Sequence, residues 1–313
     1  MNGTAALPGS DASRNGFIVV AALWLLAALA ALASVAAVYM VQSAAALSAN
    51  DDSLQSEMLI TAGLELSAYQ LSAPAAARRP TRGGFNFRLA KSDVRVEFMS
   101  ESARINLNMA PKAMIAGLFA ALGAKPAAAD QFADRVVGWR STAKPNVMDE
   151  EDGLYRAAGL NYLPRRSPFN TVDELWLVLD LPPAIVERAL PFVTIYSGMA
   201  EVNVFDAAPE VIAALPGMTP GRLDAFLNQR DSLPRDPQFV LGALGGAQPG
   251  VTINGSNAYR VRMRISLPDG RQKTSEGVIM VTEAAVTRPY QVLSWRDEID
   301  PATGGPRRPM ESR

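Results

Sequence analysis

FIVVAALWLLAALAALASVAAVYMV, residues 17–41, is the stretch on which the reading of this chain turns. No charged side chain occurs from Asn15 to Asn50, while Arg14 stands just before that run and Asp51 and Asp52 just after it. At about 1.5 Å of rise per residue the segment makes a helix of roughly 37 Å, enough to cross a hydrocarbon core of about 30 Å. No other segment approaches that length and polarity.

The flanks define what kind of span this is. Residues 1–16, MNGTAALPGSDASRNG, are polar and are expected to lack regular structure. A secretory signal carries a shorter apolar core with its small-residue cleavage site after it. Here the small-residue boundary, Gly16-Phe17, comes before the core, the order of a type IV prepilin-like leader cut between Gly and Phe. Beyond the span, Asp51, Asp52 and Glu57 precede the first basic residue on that side, Arg78. The positive-inside rule therefore puts the short N-terminus in the cytoplasm and the bulk of the chain on the other side. Leu47, Leu54, Met58, Ala62, Leu66 and Tyr69 recur as one helical stripe, so the helix is expected to continue to about residue 72, before Pro74.

Composition narrows the chemistry. The 313 residues suit about two domains, and 30 basic against 31 acidic residues leave a formal net charge of −1, which offers no field to gather nucleic acid. The chain has no cysteine and no histidine, which removes disulfides, thiolate nucleophiles and the commonest general base and zinc ligand. No G-x-S-x-G, phosphate loop or paired-carboxylate setting occurs either, so an enzyme is not expected.

In the remainder, strand-like alternation flanks a helical middle. After a Pro/Arg/Gly loop (74–84), Phe85 and Phe87, then Val94, Val96 and Phe98, alternate with polar residues. Far downstream Tyr259, Val261, Met263, Ile265 and Leu267 face one way with Arg260, Arg262 and Arg264 opposite. Pro268-Asp269-Gly270 turns the chain into a partner strand, and a last strand runs from Tyr290 to Trp295. One antiparallel sheet covered by the amphipathic helix is expected, with the arginines on a solvated face. Between the strand regions, segments opening RINLN, PFNTVDE and EVNVFD each lead into a short apolar helix and a Pro/Gly break. Asn108, Thr171 and Asp206 are the expected helix caps, and Thr171 to Glu174 has capping-box spacing.

In their order these motifs resemble the K-type minor pseudopilins of the type II secretion system (general secretion pathway protein K). The matching residues are Arg104-Ile105-Asn106-Leu107-Asn108, Trp139, Glu151-Asp152 with Tyr155, Pro168 to Leu175, and Val202-Asn203-Val204 before Ala208-Pro209-Glu210-Val211. The resemblance implies an α+β, pilin-like fold, a long N-terminal helix on an antiparallel sheet with a helical insert of helix-hairpin-helix-like units. The corresponding division is a leader at 1–16, the transmembrane half of the helix at 17–41, its amphipathic half at 42–72, and the first part of the sheet at 73–103. The insert at 104–245, the second part of the sheet at 246–298 and a flexible tail at 299–313 complete it.

It further implies cleavage by prepilin peptidase between Gly16 and Phe17, N-methylation of Phe17, a single inner-membrane pass and a periplasmic domain. Pseudopilins usually carry a Glu five residues after the cut; Ala21 stands there, as in K-type subunits at the pseudopilus tip. I-type and J-type minor pseudopilins are the implied partners, with the secretin and exported substrates further candidates, and the implied role is initiating assembly and supporting export. K-type proteins bind calcium in the insert, through a D-W-x-D-x-D run. This chain reads Gly138-Trp139-Arg140-Ser141-Thr142-Ala143 there, leaving Asp149 to Asp152, of which Glu151 and Asp152 are the candidate ligands. Those four carboxylates suit a hard cation or a solvated loop equally, and no cofactor is otherwise required. The competing reading is a membrane-anchored, competence-like nucleic-acid binder. It rests on Leu215 to Pro220 and Leu179 to Pro183, which look like helix-hairpin-helix turns. Asp180 and the net charge oppose it, and nucleic acid is not an expected partner.

Overall fold

The computed structural model describes residues 12–72, 79–142, 150–246, 248–268, 270–282 and 289–297. Most of the leader, part of the 74–84 loop, Asp149, Asp269 and the 299–313 tail lie outside the described residues. The chain forms two compact units, Met1–Met58 and Leu59–Arg313, and the boundary falls within the first helix, α1 (Ala12–Ser72). In the first unit α1 already begins at Ala12, ahead of the Phe17 start expected from the polar leader. Helix growth from an established apolar segment adds one hydrogen bond per residue, so the polar turn before the span joins it.

In the second unit, five antiparallel strands make one sheet in the order β1 (Arg82–Leu89), β2 (Ser92–Ser100), β7 (Ala258–Ser266), β8 (Gln272–Val281) and β9 (Tyr290–Asp297). Val94, Val96 and Phe98 lie opposite Ile265, Met263 and Val261, so the period-2 pattern puts all six on one face. That face is buried under Leu59, Ile60, Leu64, Ala68 and Leu71 of α1. A Cβ on Gly63 would lie 2.6 Å from the Met263 sulfur, so glycine lets the helix sit this close to the sheet.

The face that packs is not the one the stripe indicated. Leu66 is 39% exposed and Tyr69 74% exposed, and Leu54 and Met58 of the first unit are exposed as well. α1 has two apolar faces here, and the one on the sheet, Leu59, Ile60, Leu64, Ala68 and Leu71, is interrupted by Gly63 and Ser67.

The insert holds the larger core. β3 (Ile105–Asn106) runs parallel to β4 (Val193–Thr194), and β5 (Val202–Asn203) parallel to β6 (Val251–Thr252). Between the first pair lie α2 (Lys112–Ala121), α3 (Pro126–Arg140), α4 (Glu150–Ala157), a 3-10 segment Val172–Leu177 and α5 (Pro183–Ala189). Between the second lie α6 (Pro209–Ala213), α7 (Pro220–Gln229) and α8 (Pro237–Ala243). The insert is thus two successive strand–helices–strand units.

Three of its turns share one construction. Gly123, Asp180 and Gly217 have φ of +93°, +63° and +75°, and each stands three residues before the Pro that opens the next helix. This is a helix-hairpin-helix-like turn used three times, with Asp180 in the left-handed position that glycine fills in the others.

The helix caps differ from expectation. Neither α2, the 3-10 segment nor α6 has a side-chain cap, so Asn108, Thr171 and Asp206 serve otherwise. Asn106 and Asn203, one position into each strand pair, accept the N–H two residues on, from Asn108 at 2.8 Å and Phe205 at 3.0 Å. These Asx turns swing the chain out of the strand before the helix begins. Asn108 instead clasps Phe169, accepting its N–H at 2.7 Å and donating to its carbonyl at 3.0 Å.

Candidate functional site

Three places bear on function: the span, the motif cluster of the insert, and the seam between insert and sheet. In the first unit, Val19–Met40 is 22 residues long and apolar enough to cross a bilayer, with no side chain of the window buried by protein. Gly16 and Phe17 lie within α1, and Ala21 is inside the span, where a methyl group needs no partner and a carboxylate would.

The insert brings its motif residues together. The Trp139 ring packs at 6.1 Å from Tyr155 and 6.2 Å from Phe169, and its indole N–H donates to Glu174 at 2.9 Å. Glu174 also accepts from Arg165 at 3.1 Å and from the Asn170 N–H at 3.0 Å, so only the carboxylate half of the expected box forms, one residue earlier than its spacing implied. The Tyr155 hydroxyl accepts the Leu179 N–H at 2.9 Å, and burial pushes its pKa up to about 12. These aromatics knit α3, α4 and the 3-10 segment, each contributing on the order of 1.5–3 kcal/mol by burial.

Glu151 and Asp152, the candidate calcium ligands, both meet arginines. Arg135 donates to Glu151 at 2.7 Å, and Arg166 donates to Asp152 at 2.7 Å and to the Gly138 carbonyl at 3.2 Å. Among the described residues, no group of three or more His, Cys, Asp or Glu side chains is placed to hold a metal. Arg140, in the run where acidic residues were expected, donates to the carbonyls of Leu107 and Ala110.

On the outer face of the sheet, Arg260 is not solvated as expected. Its Nε and Nη2 reach the Glu101 carboxylate at 2.9 and 3.2 Å, and its Nη1 reaches Glu276 at 2.9 Å. Arg262 also binds Glu276, at 2.8 Å, while Arg104 binds Glu101 at 3.2 Å and Thr194 of β4 donates its hydroxyl to it. Burial drives the Glu101 carboxyl up, but the charges of Arg260 and Arg104 with their hydrogen bonds outweigh it, leaving it below the ordinary value. Burial, then Arg260, brings the Arg104 guanidinium down to about 10. Arg82 with Asp206 at 3.4 Å and Arg296 with Asp173 at 3.1 Å add further ties between sheet and insert. Sequence reasoning missed this seam because Glu101, in Ser-Glu-Ser-Ala, reads as a polar loop. An open cleft of 490 Å³ beside it is lined by Arg82, Glu97, Arg104, Arg260, Arg262 and Glu276. Its charged groups all have partners: Arg260 and Arg262 hold Glu276, Arg104 holds Glu101, Arg82 faces Asp206 and Glu97 faces Arg264.

A helix packed on a small antiparallel sheet is a pilin-like fold, here enlarged by a helical insert. A family model described as type II secretion system protein K matches residues 85–198. Over those residues the chain is similar to the K proteins of the type II secretion system. Type II secretion system protein K of Pseudomonas aeruginosa is 29% identical over 197 residues, 58% of this chain and 59% of that protein. The match therefore spans somewhat over half the length of that curated relative. A chain of the crystal structure of the GspK–GspI–GspJ complex from the type 2 secretion system of enterotoxigenic Escherichia coli shares the fold. Its TM-score is 0.53 at 16% identity, covering 80% of this chain and 98% of that one.

Proposed function

We propose that this chain is the tip subunit of a type II secretion pseudopilus, acting by assembly rather than by catalysis. The observation that carries the proposal is the uncovered apolar face of α1. Leu66 and Tyr69 stand exposed on the helix that also supplies the membrane span, on the side the sheet leaves open. Such a face suits a neighbouring helix of the same class, in the lipid and beyond it.

In this reading prepilin peptidase cuts between Gly16 and Phe17, Phe17 is methylated, and the N-terminus faces the cytoplasm with the rest in the periplasm. Ala21 removes the carboxylate that would pair with the amine of a subunit above, so the chain stands at the end of the fibre. I-type and J-type minor pseudopilins are the proposed partners, in keeping with the complex seen for the Escherichia coli relative. Assembly starts with these three in the inner membrane, and the insert is presented to the secretin or the exported proteins.

The test is removal of the gene and return of the chain with Tyr69→Asp. Loss of secretion in both, with the variant folded and membrane-inserted, supports the proposal; normal secretion by the variant overturns it. A nucleic-acid role finds no support: the second hairpin turn carries Asp180, a carboxylate that would repel phosphate.

A further inference from the structure

The acidic pair that the resemblance assigns to calcium does not fit a cation, and the misfit has a definite structure. Glu151 sends its carboxylate into the space that a side chain at position 138 would fill: a Cβ on Gly138 would lie 2.7 Å from the Glu151 carboxyl carbon and 2.8 Å from one of its oxygens. There Arg135 holds it at 2.7 Å, with the Glu151 side chain only 11% exposed. One residue on, Arg166 takes Asp152 through two nitrogens, at 2.7 and 3.1 Å, and joins the end of α3 through the Gly138 carbonyl. Its own N–H reaches the Trp139 carbonyl at 2.8 Å, and its backbone holds a positive φ of 59°. Arg140, on the same turn of α3, anchors the loop after β3 through two carbonyls.

A hard cation needs six or more oxygen ligands at about 2.3–2.6 Å, and a guanidinium within hydrogen-bond distance of the same oxygens repels it. We propose that Arg135 and Arg166 are the resident cations of this junction, built in as side chains. They neutralise Glu151 and Asp152, lock α4 against the end of α3, and make the fold of the insert independent of calcium. Gly138 is part of the device, since any side chain there would evict the Glu151 carboxylate.

The test is thermal unfolding of the full chain in detergent micelles, with excess chelator and with 5 mM calcium. The expected midpoints agree to within about 1 °C, because a ligand that does not bind the native state cannot shift it. A rise of roughly 5–10 °C with calcium, the shift expected of a site at a hundredfold its Kd, would overturn the proposal. In Arg135→Met/Arg166→Met the freed carboxylates should give calcium a stabilising effect that the wild-type chain lacks. Should that variant fail to fold, Asp152→Asn provides the second arm. It should lower the midpoint equally with calcium and with chelator, whereas a larger loss in calcium would count against the guanidinium role.

Discussion

Removing the Glu101 carboxylate is the sharpest test of how the insert is fixed to the sheet. The side chain is 0% exposed and accepts from Arg260, Arg104 and Thr194, residues of β7, of the link into β3, and of β4. Glu101→Ala strands two guanidiniums, of which Arg260 keeps only Glu276 at 2.9 Å. Breaking a buried pair from one side costs about 3–5 kcal/mol, chiefly because the opposite charge is left uncompensated. For a unit of this size that lowers the unfolding midpoint by roughly 6–20 °C. The pH dependence gives an independent readout. The folded pKa of Glu101 lies below its unfolded value, so its contribution is fully present above the ordinary carboxylate range and is lost as pH falls through the folded pKa. The gap between wild type and Glu101→Ala should therefore be widest near neutral pH and close in acid, as circular dichroism melts from pH 7 to pH 3 would record. A midpoint shift below about 2 °C at pH 7, or a gap that widens in acid, would refute the argument that this carboxylate carries the seam.

Other expectations are more local. Gly117→Ala should cost about 1–3 kcal/mol and lower the melting midpoint, because the new Cβ would clash with the Ala214 carbonyl oxygen of the neighbouring hairpin. Leu66→Asp and Tyr69→Asp, by contrast, should change stability by no more than about 0.5 kcal/mol in a melt while abolishing export in a secretion assay. Mass spectrometry of the chain recovered from membranes should find a mature N-terminus at methylated Phe17, and an intact Met1 would count against processing as a prepilin.

What the residues disclosed in advance follows from how far each signal reaches. The span needs only its own composition, and the sheet strands only their alternation: Tyr259, Val261, Met263 and Ile265 do face the core together. The β1–β2 hairpin was harder, since its two turn residues, Ala90 and Lys91, both take positive φ without the Asn or Gly that advertises such a turn. Pairing of charges was invisible for a different reason. Arg260 and Glu101 are 159 positions apart, as the hydrogen bond between them records, and nothing local to either marks the other. Arg135, Glu151, Arg166 and Asp152 belong to the same class, and there the resemblance, with the acidic run, suggested a cation from outside.

The stripe on α1 fails in a more instructive way. The stripe through Leu54, Met58, Leu66 and Tyr69 is the face left open. The packed face carries Leu59, Ile60, Leu64 and Leu71 with Gly63, Ser67 and Ala68 among them, whose small size lets the helix lie against the sheet. Leaving this second apolar face in water forfeits about 25 cal/mol for each Å². Its exposure here is therefore informative about assembly. A helix with a second apolar face outside its own packing is suited to be covered by something other than its own domain. In the assembly proposed above, that covering is another helix of the same kind.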